Sequence, residues 1–137
     1  MKRNATAVWT GSGKEGKGHV STTNKVLNTT PYSYASRFEN GEGTNPEELL
    51  AAAHAGCFTM KLSFVLGAEG FTPEALTTTC EITLDSGAIT HSHLIVRGAV
   101  PGIASEGFAA AVKEAALNCP VSKLFKAKIT AEGILEA

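Results

Sequence analysis

TNPEELLAAAHAGCFTMKLSFVLG, residues 44–67, is the stretch with the clearest single reading. Thr44 or Asn45 can cap a helix there, and Pro46 suits the first turn, where its missing N–H costs nothing. Glu47 and Glu48 favour the positive end of the helix dipole. Glu47 also stands three residues after Thr44 and can complete a capping box with it. The body that follows is apolar on nearly every side. That predicts a helix over 45–67 buried on most of its faces, ended by Gly67 and Gly70. It carries one histidine, His54, and one cysteine, Cys57.

Upstream of it, strands and turns are expected. Asn4 to Thr10 alternates and reads as a strand, GSGKEGKG as a turn or mobile loop, and His19 to Leu27 as a second strand. A third, short strand is expected around Tyr32 to Arg37, before the turn NGEG. The glycine-rich loop lacks the helix a phosphate-binding loop would need after it. Downstream, Leu76–Leu84 and Ile89–Val100 flank an Asp-Ser-Gly turn and read as a hairpin. Ser105 can cap a second helix through Leu117, which Pro120 should end. A short helical turn, PVSKLF, and a final strand over 127–135 complete the chain. The order predicts an α+β fold, helices against a mostly antiparallel sheet, in a single domain over 1–137.

Composition narrows the function classes. Charge is nearly balanced, with 12 basic and 13 acidic residues, and no long run of one sign occurs. Nucleic-acid tails and polybasic membrane patches therefore have little support. The basic N-terminus lacks the apolar run of a signal peptide, and no run of 18 apolar residues is present, so a soluble, cytoplasmic protein is expected. Three widely spaced cysteines, Cys57, Cys80 and Cys119, form neither a secreted disulfide framework nor a zinc pattern. They are buried core or redox-active.

Each candidate has a bland reading beside the chemical one. Cys57 has apolar neighbours and could be a core thiol; Lys61 and His54 are close enough along the helix to favour a thiolate, without compelling it. Cys119 precedes Pro120 and could simply fill a bend, or could cap the next helical turn. Arg37 could be a surface arginine paired with Glu39 or Glu42. Fixed by Glu47 instead, its guanidinium could stabilise a thiolate and donate to a peroxide oxygen. Glu47 lies ten positions before Cys57, ~15 Å of rise and ~1000° of turn along a helix. To share a site they need a bent helix or a second chain. Cys80, in alternation with Ile82 and Leu84, reads as core. His91 and His93 fall on one strand face, where a metal would lack further ligands nearby and a solvated face is expected. His54 has packing or hydrogen bonding as its default.

RFENGEGTNPEELLAAAHAGCF (37–58) and ALNCPVSKL (116–124) together closely resemble the OsmC/Ohr family, the osmotically inducible protein C and organic hydroperoxide resistance branches. Arg37 falls in the segment used by the OsmC branch. The resemblance implies an OsmC-like fold in an intertwined homodimer with sites at the subunit interface. It implies a thiol peroxidase of the oxidative and osmotic stress response, reducing organic hydroperoxides and, less efficiently, hydrogen peroxide. Cys57 would be the attacking thiolate, activated by Arg37 and Glu47, and Cys119 the thiol that closes a disulfide with it. No cofactor or metal is implied, only an external dithiol, lipoyl-type or small, as reductant. Phe58 and Leu62 would line the site for an organic substrate. The rival expectations are a non-catalytic apolar-ligand-binding protein of the same fold and a thiol stress sensor without turnover.

Overall fold

The structure is a computed structural model that describes residues 1–136. The fold is α+β, and the chain divides into two compact units, Met1–Leu49 and Leu50–Ala137.

The first unit holds strands β1 (Ala5–Thr10), β2 (Lys17–Thr22) and β3 (Thr30–Tyr32), paired antiparallel in that order. Trp9 packs on Tyr32 with ring centres 5.3 Å apart. Gly18 sits between them on β2, where a Cβ would lie within 2.5 Å of Trp9 and 2.6 Å of Tyr32. β2 stops five residues short of the expected Leu27. The cause is local: the Asn24 side chain accepts from the Val26 amide, and Lys25 and Thr29 adopt positive φ, which breaks an extended strand.

The expected strand at 32–37 is instead helix α1 (Tyr34–Phe38). Ser33 and Ser36 form a reciprocal capping box, with Ser36 N donating to Ser33 Oγ at 3.1 Å and Ser33 N donating to Ser36 Oγ at 2.7 Å. None of the large apolar side chains described in this unit is buried.

Helix α2 (Pro46–Ala68) begins in the first unit and runs on through the second. Asn45 caps it: its Oδ1 accepts from the Glu48 amide at 2.7 Å, and its Nδ2 donates to the Glu48 carboxylate at 3.3 Å. The acidic partner of the cap is thus Glu48 rather than Glu47. At the far end, Gly70 at φ +89° lets the Phe71 amide bond back to the Leu66 carbonyl at 2.9 Å.

In the second unit, β4 (Ala75–Asp85) and β5 (Ala88–Ala99) form the expected hairpin, turning at Ser86–Gly87, both at positive φ. α3 (Ser105–Asn118) and α4 (Pro120–Leu124) cross over to β6 (Lys128–Leu135), which lies parallel to β5. Ser105 is the first helical residue of α3; the cap position is Ala104, with no side-chain bond.

The core is formed by Phe58, Leu62 and Leu66 of α2, Leu94 and Val96 of β5, and Phe108, Val112 and Ala115 of α3. Gly98 and Gly133 admit Phe108 against the sheet; a Cβ at either would come within 3 Å of its ring. The expectation that α2 is buried on most faces is not met within one chain. Only His54, Phe58, Leu62, Val65 and Leu66 are buried, while Met60 and Phe64 are 66% and 71% exposed. The helix is long and apolar enough to cross a membrane, with mean hydropathy 1.5, although no run of 18 apolar residues occurs in it. His54, Thr59, Lys61 and Ser63 interrupt it, and its buried side belongs to the core just described.

Candidate active site

Two helices bring Cys57 and Cys119 together in the second unit. Cys57 lies on α2, one turn after His54, half-buried against the core. Cys119 ends α3 and caps α4 at once. Its amide donates to the Ala115 carbonyl, and its sulfur accepts from the Ser122 amide at 3.4 Å. Pro120 forces this arrangement, because the residue before a proline avoids helical angles; Cys119 is extended at ψ 136°. Both thiols are free, and Cys119 is fully buried.

The Cys119 thiol and the Val121 backbone amide are near enough to the Cys57 thiol to act on its ionisation. Burial pushes its pKa up from the ordinary value. The Val121 amide pulls it down, the Cys119 thiol pushes it up, and the charge of Lys61 pulls it down. Desolvation wins. Lys61 therefore acts in the expected direction without being enough, and this environment alone favours the thiol over the thiolate that attacks a peroxide.

His54 does not face Cys57's sulfur as a base would. It is fully buried, with Nδ1 2.6 Å from Ser92 Oγ and Nε2 2.7 Å from Ser122 Oγ, and the edge of the Phe125 ring against it. Burial lowers its pKa and keeps it neutral. Ser122 Oγ is 3.4 Å from Cys119 Sγ, and Ser92 Oγ is 3.2 Å from Cys80 Sγ. Cys80, expected as inert core, thus ends a polar chain that begins at Cys119. Burial pushes the Cys80 thiol up, and the Ser92 hydroxyl pulls it down.

Ser92 and Ser122 are the residues sequence reasoning missed. The serine of CPVSK lies at the start of a helix and offered a faint signal. Ser92, in alternation with Leu94 on a buried strand face, offered none.

In the first unit, Arg37 and Glu47 form a two-pronged ion pair: Nε donates to Oε1 at 2.9 Å and Nη2 to Oε2 at 3.2 Å. The Arg37 guanidinium also lies over the Phe38 ring, 5.1 Å from its centre. Arg37 is 40% exposed at its side chain and Glu47 13%. The pairing chosen is the useful one among those open in sequence, Glu47 rather than Glu39 or Glu42. A bidentate clamp fixes the guanidinium plane while leaving its other N–H groups free to donate.

Phe58 and Leu62 do not line a substrate wall; both are fully buried in the core. The apolar groups open on α2 are Met60 and Phe64. An open depression of about 650 Å³ runs beside Met60, lined also by Gly56, Ser63 and Leu76 among others. His91 and His93 share Thr130 as partner, and His93 pairs with Glu132 at 3.2 Å, so that face is hydrogen-bonded rather than merely solvated. Among the described residues no group of three or more His, Cys, Asp or Glu side chains could hold a metal ion.

Comparison with known proteins places these features in a wider set. The family described as OsmC-like protein matches residues 39–132. The chain is 49% identical over 128 residues, 90% of each chain, to Peroxiredoxin OsmC of Escherichia coli (strain K12), and to the same extent to that of Shigella flexneri. Among solved structures, an OsmC-like protein from Mycoplasma pneumoniae superposes with TM-score 0.78 over 100% of this chain and 99% of its own, at 14% identity. The organic hydroperoxide resistance protein OhrB of Bacillus subtilis gives 0.67 at 23% identity, over 97% and 98%. At such identities the last two speak for the fold.

Proposed function

The chain belongs to the family of OsmC-like proteins, and from that membership we propose how its own residues carry out peroxide reduction. The protein is a cysteine-based thiol peroxidase that reduces hydroperoxides, organic ones among them, to alcohols. In the proposed route, Cys57 thiolate attacks the terminal oxygen of ROOH, the O–O bond breaks, ROH leaves and Cys57 becomes a sulfenic acid. Cys119 then displaces the sulfenic oxygen as water and closes a disulfide, which an external dithiol, lipoyl-type or small, reopens. No metal or organic cofactor enters this chemistry.

A single observation supports the route most strongly: two thiols far apart in sequence meet, one half-exposed and the other fully buried behind it. An attacking sulfur must reach solvent, and a resolving sulfur must not compete with it for peroxide. Burial raises Cys57, so the route needs a cation to hold the thiolate, and the clamped Arg37 guanidinium is the group with the right donors. Helix arithmetic favours a second copy as its source, since ten positions along α2 turn Glu47 and Cys57 to different faces. The exposed apolar side of α2, with Met60 and Phe64, supports a homodimer for the same reason: such a face is costly to leave in water.

The test is a thiol count. One equivalent of cumene hydroperoxide should remove two thiols per chain, with dithiothreitol restoring both, and Cys57→Ser should remove none. Full steady-state turnover in Cys57→Ser ends the reading.

A further inference from the structure

We infer that Ser122 and His54 are the proton acceptor of Cys119, so that this buried pair takes the thiol proton when Cys119 closes the bridge to Cys57. The inference rests on the reading of Cys119 as the resolving thiol.

Four contacts carry it. Cys119 Sγ lies 3.4 Å from Ser122 Oγ, Ser122 Oγ 2.7 Å from His54 Nε2, His54 Nδ1 2.6 Å from Ser92 Oγ, and Ser92 Oγ 3.2 Å from Cys80 Sγ. They admit two polarities, and the relay uses the one that starts at Cys119. The Cys119 S–H donates to Ser122, whose hydroxyl donates to Nε2; Nδ1–H donates to Ser92, whose hydroxyl donates to Cys80. His54, Ser92 and Cys119 are fully buried and Ser122 is 7% exposed, which keeps bulk water from Cys119. A thiol so placed cannot shed a proton into apolar surroundings; it needs a neutral base within a short relay. Burial keeps the imidazole in that neutral form. Packing alone would be served by an apolar side chain of similar volume, without two serines to satisfy it.

In the step itself, the Cys119 proton passes to Ser122 Oγ as the Ser122 proton moves to His54 Nε2. The freed sulfur pair attacks the Cys57 sulfur, and the S–O bond of the sulfenic acid breaks. The oxygen leaves with that bond's electrons as hydroxide, takes the proton back from His54 through Ser122, and departs as water. Cys119 sulfur is oxidised and Cys57 sulfur reduced to the disulfide level, and the imidazole ends neutral. The titratable groups around the relay are Cys119 at the α3–α4 junction, Cys57 on α2 with Lys61 acting on it, and Cys80 on β4 with Glu81 acting on it. The Phe125 ring closes a further side of His54.

Rapid mixing of the reduced protein with one equivalent of cumene hydroperoxide separates the steps. Dimedone labelling reports Cys57 sulfenic acid, and mass spectrometry of quenched samples reports the bridge. In His54→Gln the ratio of bridge rate to sulfenic-acid rate should fall at least ~10-fold, within the usual range for loss of a general base. Its bridge formation should rise in proportion to hydroxide from pH 7 to 9, a range over which the native rate should stay flat. Ser122→Ala should show the same loss and Ser122→Thr, which keeps a hydroxyl, should recover the rate; this pair decides the matter if His54→Gln does not fold. Native ratios and pH profiles in the variants, beside a native chain that bridges, overturn the relay alone. A native chain that forms no bridge overturns the role of Cys119 and the relay together.

Discussion

Cys57 and Cys119 share a chemistry but sit in opposite surroundings, and each setting fixes one expected behaviour. Cys119 is fully buried and Cys57 only partly so, and Cys119→Ser should leave the first attack possible and remove the second. About one equivalent of peroxide is then consumed per chain before Cys57 passes to the sulfinic level, read as a mass gain of two oxygens. His54 has a different signature. Its pKa is lowered by burial, so the unfolded chain binds the extra proton first as pH falls through the ordinary histidine value near 6.5. The stabilisation from keeping it neutral is complete above that value and is lost progressively as pH falls below it. The urea midpoint of the native protein should therefore drop between pH 7.5 and 5.5 by more than that of His54→Gln.

At the scale of single elements, what could be read from sequence depended on whether the deciding contact was local. The body of α2, the β4–β5 hairpin with its Ser86–Gly87 turn, and the Cys119–Pro120 junction were legible because capping, turn and proline rules act within a few residues. α1 was missed although its cap is equally local, because YASRF taken alone suits a strand as well as a helix and the Ser33–Ser36 box decides between them. Glu47 and Glu48 were both suited to the α2 cap; Asn45 takes Glu48, which leaves Glu47 for Arg37. The Ser92–His54–Ser122 chain was not legible as a chain, since it joins three elements remote in sequence.

Packing at this scale is tight enough to test. Gly133→Ala on β6 would put a Cβ 2.8 Å from Val112 and 2.9 Å from Phe108, both in the core. Overpacking of that kind costs about 1–3 kcal/mol, which a urea titration would detect. On α2, Phe64→Asp alters an exposed residue and should leave the single chain folded by circular dichroism. It should halve the mass seen in sedimentation if that face meets a second copy.

For the whole molecule, the first unit poses the sharpest question. Its three-stranded sheet buries none of the large apolar side chains described in it, yet the helices of the same unit hold the Arg37–Glu47 clamp. Small sheets of this kind are not stable without an apolar surface to lie against. If the clamp serves the Cys57 of a second copy, two inactive variants should rescue one another. Mixing Cys57→Ser with Arg37→Met chains, unfolded together and refolded, should recover roughly a quarter of the native peroxidase rate, because half the dimers are mixed and each has one intact site. No recovery would assign the clamp to its own chain.

If two copies meet on the uncovered side of α2, the pairing has a consequence for how the protein answers to its own abundance. A catalyst assembled from two copies is not a fixed quantity per molecule: on dilution below the dissociation constant its specific activity falls, and output follows the square of the chain concentration rather than its first power. A cell that doubles such a polypeptide under stress would gain up to fourfold in peroxide clearance.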